Sequence, residues 1–171
     1  MSDMKQIRVE KVTLNIGVGG PGEKLEKAIK LLKTISASKP IAIASSKRIP
    51  TWGVRPGLQL ASKVTVRGKK AEELLMRLLQ ALDNKLPRRK FDKFGNFSFG
   101  IHEYIDIPGV QYDPSIGVIG LEAAVTLQRP GFRVKRRAVK VGKIGIKHRI
   151  TAEDSIAFVK NKFNVKVGDE E

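Results

Sequence analysis

No cysteine occurs anywhere in the 171 residues, which excludes disulfides and thiolate-bound metals. The two histidines, His102 and His148, are too far apart to suggest a histidine metal cage, so neither a metal nor another cofactor is expected. No apolar run approaches the ~20 residues of a membrane-spanning helix, and the opening stretch MSDMKQIRVEKV has no apolar segment of the length a secretory signal needs. The expected location is the cytoplasm. Acidic residues are also scarce, and unevenly so. Eleven Lys and Arg lie between Lys27 and Ala71 without one Asp or Glu, and nine more lie between Ala123 and Ala152, again with none. The whole chain has 33 basic against 17 acidic residues, a net charge of +16 and a pI near 10.3. A surface this positive repels itself unless a polyanion neutralises it, which points to nucleic acid.

Enough apolar material is present, 41% of residues, to bury the core of one ordinary domain. The expected organisation is a single domain over residues 1–171, with 129–171 a basic extension of it. Val12, Leu14, Ile16 and Val18 alternate with smaller or polar residues, predicting a strand from Ile7 to Val18. After the turn Gly19 to Gly22, the spacing of Leu25, Ala28, Ile29, Leu32 and Ile35 predicts a helix. A short apolar stretch, Ile41 to Ala44, leads into an aperiodic loop, SSKRIPTWGVRPG. From Leu60 a second strand carries Val64 and Val66 on one face and Lys63, Thr65 and Arg67 on the other. The strongest helical stripe runs from Ala71 to Leu86 and is closed by Pro87. Phe97, Phe99 and Ile101, then Leu121 to Leu127, predict two more strands, joined by a loop that includes Ile107 to Gly117. A loosely alternating, strand-like basic tract follows from Phe132 to Ile150. Thr151 and Asp154 then form a capping box ahead of a short helix, and Gly168 to Glu171 make an acidic, frayed tip. Together these elements predict an α+β fold: an antiparallel sheet with helices packed on one face, a basic C-terminal strand or loop tract, and a short last helix.

Gly17 to Gly22 spells G-x-G-x-x-G between a strand and a helix, the place of a pyrophosphate-binding turn. A nucleotide-dependent enzyme is the alternative it raises. That motif needs an acid about 20 residues on, where this chain has none, and a P-loop would need Lys then Ser or Thr after Gly22 instead of Glu23 and Lys24. No constellation for nucleophilic catalysis is present, and no enzyme is expected. Phe94, Phe97 and Phe99 alternate as base-stacking aromatics do, although their positions depart from the known RNA-binding signature.

A more informative pattern is the polar face of Thr13, Asn15, Lys63, Thr65 and Arg67. If its two strands pair, short hydrogen-bonding groups and cations merge into one patch that suits 2′-hydroxyls, base edges and phosphates. In the Ser45 to Pro56 loop, Trp52 either stacks on a nucleotide or anchors the loop. Charge alone would also suit a non-specific DNA-coating architectural protein.

The segments VTLNIGVGG, SASKP, SSKRIPTWGVRPG, KVTVRGKKAEELL, FGNFSFGIHEYIDIPGVQYDPSIG and RPGFRVKRR resemble, in order and over nearly the whole chain, the "L-five" family of large-subunit ribosomal proteins. RPGFRVKRR through HRITAEDS is similar to its archaeal and eukaryotic branch. The resemblance implies a protein that attaches 5S rRNA to the central protuberance, beside neighbouring ribosomal proteins. It also implies contacts with the large-subunit rRNA and the P-site tRNA, and a bridge to a small-subunit protein of the "S-thirteen" family. By position, the 5S rRNA contacts fall on Asn15, on Ser38 and Lys39 of the SASKP turn, and on Thr65 and Arg67, to which the polar strand face adds Thr13 and Lys63. Bacterial relatives commonly show Gly-Gln where this chain has Ala37-Ser38, so the side-chain amide of that pair is missing here. The tRNA-facing loop corresponds to Ser45 to Val54, with Lys47, Arg48, Thr51 and Trp52 as its contacts and Arg55 just beyond it, and the bridge to the Ile107 to Gly117 loop. The basic tract facing rRNA comprises Arg129, Arg133, Lys135, Arg136, Arg137, Lys140 and Lys147.

Overall fold

A computed structural model describes residues 3–168. Its elements in chain order are β1 (Arg8–Gly17), α1 (Glu23–Ser36), β2 (Ile41–Ala44), β3 (Gln59–Arg67), α2 (Lys69–Gln80), β4 (Lys85–Pro87), β5 (Phe97–Ile101), β6 (Leu121–Gln128), α3 (Ala152–Phe163) and β7 (Lys166–Gly168). Five strands form an antiparallel sheet in the order β2-β3-β1-β6-β5, and the three helices complete an α+β fold. A separate two-stranded sheet pairs β4 with β7 in parallel.

Compact packing divides the chain into two units. One comprises Met1–Val12, Arg67–Phe99 and Ala124–Glu171; the other comprises Thr13–Val66 and Gly100–Ala123. In the second unit, Leu14 and Ile16 of β1, Val64 and Val66 of β3, and Leu25, Leu32 and Ile35 of α1 are buried. In the first, α2 buries Ala71, Leu74, Leu75, Leu78 and Leu79, and α3 buries Val159 and Phe163. Burying such side chains contributes roughly 1.5 to 3 kcal/mol each.

Several expectations from the sequence need correction. The second helix stops at Gln80, not at Leu86, because Asp83 and Asn84 take left-handed conformations with φ of 52° and 54°. Leu86 is buried instead within β4, beside Val167. Residues 132–150 are not strand-like: they hold two short 3₁₀ turns, Phe132–Lys135 and Ile146–His148, and no strand. Gly131, with φ 90°, and Lys140, with φ 52°, turn the backbone out of extended geometry there. Ile41 to Ala44 is a full strand, paired antiparallel with β3 from Ile41 opposite Lys63. Gly168 ends β7 opposite Pro87, so it is not frayed; the rest of the acidic tip lies outside the described residues. The capping box occurs as expected, with Thr151 Oγ1 accepting from the Asp154 amide and Asp154 Oδ2 from the Thr151 amide, both at 3.2 Å.

Candidate nucleic-acid interface

Strand alternation positions the first candidate surface. Val12, Leu14 and Ile16 are buried along β1 while Thr13 and Asn15 remain half-buried between them, and on β3 Val64 and Val66 are buried while Lys63 is half-buried and Thr65 exposed. Because β1 and β3 are neighbours in the sheet, the four polar side chains share the face turned away from the core. Ser38 and Lys39 come from the turn after α1, where Ala37 adopts a left-handed conformation with φ 48°. That turn is held locally: Ser38 Oγ donates to the Ser36 carbonyl at 3.2 Å, and the Ser38 amide donates to Ser36 Oγ. Lys39 is exposed.

Two carboxylates pair with residues named from the sequence, and neither was itself read as part of a site. Asn15 Nδ2 donates to Glu122 Oε2 of β6 at 3.3 Å. Glu10, in the other unit, is nearly buried and takes ion pairs from Arg67, at 3.3 Å, and from Arg136. The alternation LEAAVTL does put Glu122 on an outer face, but only the strand order reveals which residue it meets.

The second candidate surface is the loop between β2 and β3. Its aperiodic sequence hides a small ladder: Ile49 and Val54 exchange both backbone hydrogen bonds, at 2.9 and 3.0 Å, around a 3₁₀ turn at Pro50–Trp52. Val54 is buried and seats the loop, whereas Trp52 is 75% exposed. Of the two readings of Trp52, an anchor or a projecting ring, the structure selects the projecting ring. Lys47, Arg48, Thr51 and Arg55 are exposed around it.

The basic tract is the third, and its cations are not equivalent. Arg133, Lys140 and Lys147 are exposed. Arg137 Nε donates to the Lys140 carbonyl at 2.6 Å, and the Lys135 ammonium lies 5.2 Å from the centroid of the Phe132 ring. Arg136 is shared between Glu10 and Gln128 Oε1. The side chain of Arg129 is only 11% exposed and is bound to Asp154 Oδ2, at 3.0 Å, and to the Arg149 carbonyl. Its guanidinium is committed within the fold, which leaves the expected outward role to the rest of the tract.

At the glycine turn the Val18 and Gly19 amides already donate to the Leu60 carbonyl, both at 2.9 Å, and Glu23 and Glu26 put negative charge in the first turn of α1, which disfavours a pyrophosphate there. Among the described residues, no helix is long and apolar enough to cross a membrane.

Comparison with known proteins covers nearly all of the sequence. The family model described as "Ribosomal protein L5" matches residues 2–55, and the model describing the C-terminus of that ribosomal family matches residues 59–166. Three curated relatives carry the name "Large ribosomal subunit protein uL5". The protein from Nanoarchaeum equitans is 50% identical over 96% of this chain and 97% of its own length. That from Sulfurisphaera tokodaii is 46% identical over 98% and 95%, and that from Methanosphaera stadtmanae 44% over 98% and 99%.

Proposed function

Since the chain belongs to the ribosomal protein L5 family, and is accordingly a structural, non-enzymatic part of the large ribosomal subunit in the cytoplasm, we propose that its polar strand face binds 5S rRNA. The observation that carries this reading is the joint placement of Thr13, Asn15, Lys63 and Thr65 on the outer face of two adjacent strands whose alternate residues are buried. A hydroxyl or amide held on a strand ladder has few positions available to it, so it can discriminate base edges and 2′-hydroxyls, whereas flexible cations mainly supply affinity for phosphates. Ser38 and Lys39 extend the contact, and Arg67, on the same strand as Thr65, adds a guanidinium whose direction Glu10 fixes. The loop carrying Lys47, Arg48, Thr51, Trp52 and Arg55 meets P-site tRNA, and the exposed ring of Trp52 supports a stacking contact there. The basic tract holds large-subunit rRNA. The loop 107–117 forms the bridge to the small-subunit protein of the "S-thirteen" family, next to the other proteins of the central protuberance.

Competition at fixed salt tests the central part of this reading. With purified chain and labelled 5S rRNA, duplex DNA should compete far less well than unlabelled 5S rRNA, because a folded RNA offers 2′-hydroxyls and splayed bases that B-form DNA does not. If about six phosphates are neutralised, a fourfold rise in salt should lower the affinity by about two to three decades. Equal competition by DNA would mean a charge-driven coat and would overturn the assignment of the strand face.

A further inference from the structure

Apart from Lys135, which belongs to the basic tract, no residue given a role above lines a groove of about 730 Å³ in the unit that holds that tract. Its size lies within the roughly 300 to 1,000 Å³ of ordinary ligand sites. Apolar side chains such as Leu127 and Ile150 line it, three cations (Lys135, Lys143 and Arg149) join them, and no acidic residue does. Phe94 also lines it and is 65% exposed. An exposed aromatic ring on a mobile loop would mean little, but this one sits on a turn held by several bonds. Asp92 Oδ1 accepts the amides of Phe94 and Asn96, at 2.8 and 2.7 Å, and Asp92 Oδ2 accepts the Asn96 side-chain amide at 2.9 Å. Gly95, with φ 76°, packs so closely on Ile150 that a Cβ there would collide with its Cγ2. Asp92 and Gly95 therefore hold the backbone that carries the Phe94 ring, which contributes little to the core.

We infer that this groove receives an unstacked nucleobase of single-stranded RNA, with Phe94 as the stacking platform and Lys135, Lys143 and Arg149 holding the flanking phosphates. A ring face accepts any base, and cations without a neighbouring carboxylate on the lining complement the charge of the strand. An extended peptide fits less well. β6, which lends Leu127, is flanked by β1 and β5, and residues 136–145 form no strand, so the groove presents no free strand edge for a peptide backbone. The inference rests on the chain being an RNA-binding protein but not on its polar strand face.

The test measures binding of the full chain to a fluorescent, unstructured RNA oligonucleotide at fixed salt. Phe94→Ala should weaken binding by about 5- to 150-fold, the range for losing one base stack, while Phe94→Tyr holds wild-type affinity. Because no charge changes, both variants should keep the wild-type salt slope; Lys143→Gln should lower it by roughly 0.7. Equal affinities for wild type, Phe94→Ala and Phe94→Tyr would overturn the inference. A photoreactive phenylalanine analogue at position 94, irradiated in assembled large subunits, should crosslink to RNA, and crosslinking to protein would overturn it as well. Asn15→Ala assayed on 5S rRNA keeps the two readings apart: it reports only on the strand face, and Phe94→Ala on the oligonucleotide reports only on the groove.

Discussion

Strand β3 displays Lys63 and Thr65 on a hydrogen-bonded ladder with their neighbours buried, whereas the tract from Arg129 to Arg149 displays its cations on irregular backbone. The strand needs no acid to hold it in place, because main-chain pairing does so. The tract has no acid of its own and is fastened by carboxylates from elsewhere in its unit, Glu10 of β1 on Arg136 and Asp154 of α3 on Arg129. Charge density in the sequence is therefore a poor guide to which groups are free for a partner. Some of the most basic sequence is spent on internal pairing, and the surface best suited to selective recognition is largely uncharged.

The comparison breaks most visibly if the tract's exposed cations are removed together. Changing Arg133, Arg137, Lys140 and Lys147 to Gln should reduce the salt slope of binding by about 3 and weaken binding near 0.1 M salt by about three decades, for 5S rRNA and unrelated RNA alike. A loss confined to 5S rRNA would show that the tract reads sequence or shape, and the contrast with the strand would fail. Arg129→Met is the internal control. It should lower unfolding stability in urea by about 1 to 3 kcal/mol, the scale for hydrogen bonds to charged groups, and leave the salt slope unchanged. A slope reduced by a full contact would place Arg129 on the RNA.

The strand face should behave in the opposite way. Asn15→Ala and Thr65→Ala change no charge, yet each should cost about 1 to 3 kcal/mol of 5S rRNA affinity, because the RNA group opposite is left without its partner. Binding to an unrelated RNA and the salt slope should both stay at wild-type values. Undiminished 5S rRNA affinity in both variants would remove the face from the site.

How far the sequence announced these surfaces depends on the range of the interaction involved. β1, β3, β5 and β6 were legible because each has a period-two alternation whose apolar half is buried, and α3 because its capping residues are three apart. The end of α2 was not legible. Leu82 and Leu86 continue the helical stripe, and side-chain spacing carries no signal that Asp83 and Asn84 turn left-handed. β4 and β7, three residues each and far apart in the chain, are too short for any periodicity. Thr13, Asn15, Lys63 and Thr65 could be named from alternation alone, but Glu122, the partner of Asn15, could not be added to them. That pairing depends on strand order and side-chain reach, which arise only when distant segments meet. The exposure of Trp52 likewise depends on the Ile49–Val54 ladder and the seating of Val54.

The smallest expected effect concerns how an acid fastens a loop in the other unit, and it sharpens the contrast with the tract. In the loop 107–117, Asp113 Oδ2 accepts from the Lys30 ammonium of α1 at 2.8 Å, and its Oδ1 accepts from the Ser115 hydroxyl and amide at 2.7 and 2.9 Å. The Asp113 amide donates to the hydroxyl of the buried Tyr104. The hydrogen bond from Lys30, followed by those from Ser115, lowers the Asp113 carboxyl from 3.8 to about 2. A folded-state value below the unfolded one means the ionised form favours folding. The contribution is complete above about pH 4 and disappears as pH falls from about 4 to about 2. Because the carboxyl is open to solvent, screening keeps the effect on stability small, and a site-resolved NMR titration is the appropriate measurement. The Asp113 carboxyl should titrate near pH 2 in the wild type and clearly higher in a Lys30→Met variant, yet still below the ordinary carboxylate value because the Ser115 bonds remain. A wild-type value near 3.8 would mean that Lys30 does not hold the loop, and that this loop, like the tract, relies on groups other than its own acid for its place.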